Sequence, residues 1–285
     1  MKKLFCFMLS IFLILLTSCK SGKNINSEKP TIAVAIPPIA NIVESICGDT
    51  VNVITVLPAG ASPESYEPSA KEISALQNAQ IYFSLGLPME ENFIIPSLNN
   101  TTEKIELYKE IAKKYPELTE GEHSHRDPHI WLSVKRMITA TAEIEKAVSE
   151  IIPENADKYR ENATKYTEKL EKANEEITNL FAHKKNRQFI AFHPAFAYFA
   201  DEYSLKMYAL EESGKEITAK RLAQMIDFAR KENIKAIFYQ TENSDKTPKS
   251  FAKEIGGKAY KLDPLAYDYP ENIMVMAEAI AKAMK

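Results

Sequence analysis

The chain has 285 residues, 45% apolar and 26% charged, with only 8 Gly; this excludes a disordered chain and is enough for about two domains with substantial cores. Its 36 Lys and Arg stand against 39 Asp and Glu, a formal charge of −3, and no basic cluster marks a phosphate-reading face, which excludes nucleic acid as a partner.

Residues 1–18 carry Lys2 and Lys3, an apolar run from Leu4 to Leu16, and then "LTSC". The pattern predicts a secretory signal, too short to span a bilayer. A small-residue run ending in Cys19 also resembles a bacterial lipobox. That implies a diacylglyceryl group on the Cys19 thiol and a membrane-anchored, otherwise soluble protein. Cleavage removes Cys6 and leaves Cys47 alone beside the acylated Cys19, so no intramolecular disulfide is expected and Cys47 reads as a small buried apolar residue. Residues 19–30 are polar without apolar periodicity, as a flexible tether should be.

From Thr31 the chain alternates short β-branched runs with helical patterns: "TIAVAI", "IANIVESICG", "VNVITVL", a Pro-containing loop, "SAKEISALQNA" and "IYFSLG". This alternation predicts a parallel sheet covered by helices over residues 31–152. Ser69 and Glu72, three apart, form a capping box at the start of the helix after the loop. Over 153–184, Tyr159, Ala163, Tyr166, Leu170, Ala173, Ile177 and Leu180 recur at spacings of four and three, the mark of one amphipathic helix. Running from 154 to 183 it would be about 45 Å long, a rigid strut across two lobes. The alternative, a hairpin broken near Asn174, lacks a Gly or Pro to break it. Residues 185–285 repeat the first grammar in "QFIAFH", "AFAYFADEY", "LKMYAL", "RLAQMIDFARKEN", "KAIFYQ", "PKSFAKEIGG", "AYKL" and a terminal helix after Pro270. The expected fold is therefore α/β, two parallel-sheet lobes joined by a long backbone helix.

The stretch "HSHRDPHIW" puts His123, His125, Asp127 and His129 within seven positions. One reading is the H-x-H-x-D-H run of the dinuclear zinc hydrolases. That run needs Asp and His adjacent, however, and Pro128 intervenes, pushing Asp127 into extended geometry. The other reading makes His123 and His125 an exposed accessory stretch of weak metal affinity upstream of a single ligand, His129. Glu64 lies in the loop after the second strand, His129 before a helix, and His193 and Asp263 at strand ends. Ligands of parallel α/β sheets bind beyond the carboxyl ends of the strands, so these four positions, two from each half, can converge on one cleft.

In their order and spacing the lipobox, "LPAGASPESYEPSAKEISALQNAQIYFSLGLPME", "DPHIWLS", the long helix, "HPAFAYFADEYSL", "LEESGKEITAKRLAQMI" and "KLDPLA" resemble the zinc and manganese solute-binding lipoproteins of bacterial ABC importers, of the ZnuA-like type. The resemblance spans almost the whole mature chain. It implies two α/β lobes joined by a rigid helix and one divalent metal at their interface, held by Glu64, His129, His193 and Asp263. Glu64 stands where such proteins usually carry His, a departure that bears on metal preference.

Two imidazoles with two carboxylates suit tetrahedral or slightly expanded zinc, and also manganese or ferrous iron. A site closed by side chains, with no reserved water, carries its ion rather than reacting with it. The expectation is an extracytoplasmic, membrane-anchored lipoprotein, periplasmic or on the outer cell surface. It would be monomeric, not an enzyme, and would capture zinc for a membrane permease and its ATPase. Should Glu64 not ligate, Glu67, Glu211 and Glu212 are the next donors.

Overall fold

The computed structural model describes residues 29–120, 125–211 and 217–284; the leader, Cys19, His123 and Glu212 lie outside these. The first lobe runs β1 (Thr31–Val34), α1 (Pro37–Cys47), β2 (Asn52–Thr55), α2 (Ala70–Ala75), β3 (Ile81–Ser84), β4 (Glu103–Glu106), α3 (Leu107–Ala112), the short strands β5 (Thr119–Glu120) and β6 (His125–Arg126), and α4 (Val134–Ile151). Its sheet is parallel, ordered β2-β1-β3-β4, with Ile32 opposite Val53 on one side and Ile81 on the other. β1 and β3 are buried on both faces, which is why they read as unbroken apolar runs. The edge strand β4, "EKIE", has no such run and escaped the sequence reading; charged residues are what an exposed sheet edge favours.

The strut is α5 (Ala156–Ala182), 27 residues preceded by a short 3-10 turn at Pro153–Asn155, about 40 Å at 1.5 Å per residue. It is unbroken, so the hairpin alternative does not hold. Tyr159, Ala163, Tyr166, Leu170, Ala173 and Ile177 are buried as the spacing predicts, while the last buried position is Phe181 rather than Leu180. α5 packs against α1 and α4 of the first lobe. Hydrogen bonds pin it there, Tyr166 donating to Asn41 Oδ1 at 2.7 Å and Asn162 to the Ile46 carbonyl at 2.8 Å. At its other end Asn174 Oδ1 accepts the Tyr203 hydroxyl of the second lobe at 3.0 Å.

The second lobe runs β7 (Gln188–Ala191), α6 (Ala197–Glu202), β8 (Lys206–Ala209), α7 (Ala219–Lys231), β9 (Ala236–Gln240), α8 (Lys246–Glu254), β10 (Lys258–Leu262) and α9 (Tyr269–Ala283), which packs on α5. Its parallel sheet is ordered β10-β9-β7-β8. Counted within each lobe, both sheets therefore run second, first, third, fourth: one topology used twice. A continuous apolar core runs from β1 through α5 to α9. Polar contacts also cross the interface, Trp131 Nε1 donating to the Pro264 carbonyl at 2.9 Å and the Tyr267 hydroxyl donating to Glu44. No helix among the described residues is long and apolar enough to cross a membrane.

Candidate metal centre

Each candidate residue is carried by a short loop beyond a strand's carboxyl end. Glu64 follows β2 in a turn where its own N–H donates to Ser62 Oγ at 3.3 Å and the Tyr66 N–H to the Ser62 carbonyl at 3.0 Å. The capping box of α2 forms as expected, and its Glu72 also accepts the Tyr66 hydroxyl at 2.6 Å, closing the loop. His129 is placed by Asp127, whose Oδ1 receives the His129 backbone N–H at 2.8 Å and lies 2.9 Å from its Nδ1. Asp127 is 0% and His129 2% exposed, so this bond is shielded from competing water. His193 follows β7 and caps a 3-10 turn begun by Pro194. The Glu211 N–H donates to the Phe192 carbonyl at 2.9 Å, extending the β7–β8 ladder until Glu211 Oε2 reaches 3.0 Å from His193 Nδ1.

Both imidazoles thus have a carboxylate at Nδ1, and both turn Nε2 toward one oxygen. Glu64 Oε1 lies 2.9 Å from His193 Nε2 and 3.4 Å from His129 Nε2. Glu64, His129 and His193 form a group whose donor atoms all lie within 4.8 Å of one another. Donors bound to zinc at ~2.0–2.1 Å in a tetrahedron stand about 3.3 Å apart, so the spacing fits one ion with little rearrangement. The cavity they share is also lined by Trp131, Gln240 and Glu242.

Burial alone would raise the Glu64 carboxyl, but the His193 hydrogen bond and the charges of His193 and His129 hold it below the usual carboxylate range. Burial alone would lower the His193 imidazolium, but Glu211 and Glu64 on its two nitrogens outweigh that and hold it at about 10. An imidazolium so held would donate from Nε2 to Glu64 Oε1, 2.9 Å away, when no metal is bound. Glu242 is raised by burial and by the charge of Asp263.

Asp263 is not among the three gathered donors. It is exposed just beyond β10, its Oδ1 accepting the Leu265 N–H at 3.2 Å, and it lines an adjoining cavity that Glu242 shares. Glu67 is exposed. His125 is exposed too, held in the β5–β6 ladder opposite Glu120 rather than on a loose stretch. The hydrolase reading finds no support, because Asp127 Oδ1 serves His129 and the metal-capable group among the described residues contains neither Asp127 nor His125. Sequence reasoning missed the orienting role of Asp127, which the D-x-H spacing could have signalled, and it missed Glu242, two residues past β9.

The family described as ZnuA, zinc-uptake complex component A, periplasmic, matches residues 32–283. The zinc-binding protein AdcA of Streptococcus pyogenes serotype M3 is 29% identical over 290 residues, covering 93% of this chain and 56% of that protein. The zinc-binding lipoprotein AdcA of Streptococcus pneumoniae serotype 4 is 28% identical over the same shares of each chain. The present chain spans about half the length of these curated relatives. Among solved structures, a crystal structure of ZnuA superposes with a TM-score of 0.83 at 34% identity, covering 90% of this chain and 99% of that one.

Proposed function

This chain belongs to the ZnuA family, and on that premise we propose that it captures a divalent metal ion outside the cytoplasm, zinc before manganese or iron, and delivers it to an ABC-type permease and its ATPase. The observation that carries the reading is the convergence of Glu64 Oε1 with Nε2 of His129 and His193, donors supplied by both lobes. Asp263 is the proposed fourth donor, turning in from the adjoining cavity. A site so enclosed holds an ion for transfer and performs no hydrolysis.

Capture couples to proton loss. The Nδ1 of each histidine faces its carboxylate, which leaves Nε2 as the metal-facing donor, and the proton held between His193 and Glu64 must depart as the metal enters. The Cys19 lipid would keep the monomeric body at the membrane surface, and the lipoprotein described in Streptococcus pneumoniae supports that reading. His123 and His125 act as a weak accessory acceptor, so replacing both with Ala leaves one tightly bound ion and removes any weaker phase.

The experiment is metal analysis of protein purified without added metal, followed by competition between zinc and manganese. One tightly bound ion with zinc preferred supports the reading. Two ions with hydrolytic activity would overturn it.

A further inference from the structure

Tyr198 lies five residues after His193, on α6, which begins directly beyond the 3-10 turn capped by that histidine. Its side chain is fully buried, and its hydroxyl leaves the second lobe entirely. It accepts the Leu118 N–H at 3.1 Å and donates to the Asp127 carbonyl at 3.2 Å. Those two residues are themselves joined by the Asp127 N–H to Leu118 carbonyl bond of 2.8 Å, the rung at the base of the β5–β6 hairpin. The ring of Tyr198 is held as well, with the Arg136 guanidinium carbon 4.5 Å from its centroid and Arg136 Nη2 donating to the Pro116 carbonyl at 2.8 Å. One second-lobe side chain is therefore gripped at ring and hydroxyl by the first lobe, at the residue whose carboxylate orients His129.

We infer that Tyr198 is a positioning residue for the metal centre, setting the segment that carries His193 in register with Asp127 and, through Asp127, with His129. The inference rests on the reading that Glu64, His129 and His193 hold the metal. A tyrosine that only filled space would need a partner for its hydroxyl but not this one. Here the connection runs from one imidazole to the other through a short helix, one hydroxyl and one carboxylate, with Tyr198, Asp127 and both histidines buried. A small displacement of α6 is then read out as a change in the separation of the two Nε2 atoms.

Tyr198→Phe keeps the ring and removes the tether. Outer-shell partners of ligating histidines cost roughly 10–100-fold in metal affinity when removed; Tyr198 acts one step further out, through Asp127, so zinc affinity by chelator competition should fall by about the lower end of that range, roughly tenfold. The visible absorption of the Co2+-loaded protein should shift or weaken, since it reports donor geometry at the ion. Tyr203→Phe is the control, a buried tyrosine nearby whose hydroxyl bonds Asn174 of α5 instead; it should lower stability and leave both readouts unchanged. Wild-type affinity and an unaltered Co2+ spectrum in Tyr198→Phe would overturn the inference, even with a lowered melting temperature. So would equal losses in both variants, which would mark general loosening. A Co2+ spectrum unchanged by His193→Ala would overturn the site reading itself, and the inference with it.

Discussion

Glu64 of the first lobe and His193 of the second meet at 2.9 Å, Oε1 against Nε2, with His129 Nε2 3.4 Å from the same oxygen. A carboxylate is a harder donor than imidazole and can bind through one or both oxygens, so as a ligand Glu64 would admit a higher coordination number and blur the choice between zinc and manganese. Glu64→Ala should weaken both ions, and Glu64→His should widen the zinc-over-manganese ratio. His129→Ala and His193→Ala should each abolish tight zinc binding with the fold intact. Calorimetric titration decides, and undiminished affinity in any Ala variant removes that residue from the site.

The fourth donor can be assigned by comparing Asp263→Ala, Glu211→Ala and Glu242→Ala. Asp263→Ala should cost about tenfold or more in affinity and remove one oxygen from the zinc coordination shell seen by X-ray absorption. Glu211→Ala, which frees His193 Nδ1, should weaken binding while leaving the donor count unchanged. An oxygen lost in Glu242→Ala and kept in Asp263→Ala would transfer the role to Glu242.

His193 holds its proton up to about 10 without metal, because Glu211 and Glu64 outweigh the effect of burial. Zinc must displace that proton, so apparent affinity should rise with pH, about tenfold per unit between roughly pH 6 and 8 for one proton displaced. Calorimetry in buffers of different ionisation enthalpy measures the release. A pH-independent affinity would show that the proton is not where the metal binds.

Glu90, fully buried, accepts the Leu87 N–H at 2.7 Å, the Leu85 N–H at 3.0 Å and the Tyr82 hydroxyl at 3.0 Å. Burial outweighs these bonds and raises its carboxyl from 4.5 to about 7. Between those values the native state binds the proton that the unfolded chain releases. Metal-free stability should therefore fall as pH rises through that window, by up to about 3 kcal/mol. Glu90→Gln should flatten the slope in urea unfolding at a cost of about 1–3 kcal/mol for weakened backbone partners. An unchanged slope would place the titration elsewhere.

On the proposed reading zinc would bind only the folded site, so excess zinc should raise the melting temperature. The gain is about 4 kcal/mol at a thousandfold excess over Kd, and it should vanish in His193→Ala. A similar rise in that variant would mean binding elsewhere.

The alternation of β-branched runs with helical periods determined two parallel α/β lobes, and the spacing from Tyr159 to Ile177 determined the strut, because both patterns are local consequences of which faces are buried. Position after a strand end also brought Glu64, His193 and Asp263 under suspicion, and position before a helix brought His129. What periodicity could not reach are relationships set between elements. Glu211 finds His193 because β8 pairs with β7 and the ladder continues past both strands. Asp127 finds His129 because Pro128 and the hairpin base turn a side chain back on its own loop. Asp263 stands apart because the Leu265 N–H holds its carboxylate in the adjoining cavity. Tyr198 reaches Asp127 only because the lobes are packed face to face around α5. A pattern along the chain records burial within one element, whereas side-chain hydrogen bonds to partners 18 and 71 residues away are decided when the sheets and lobes assemble.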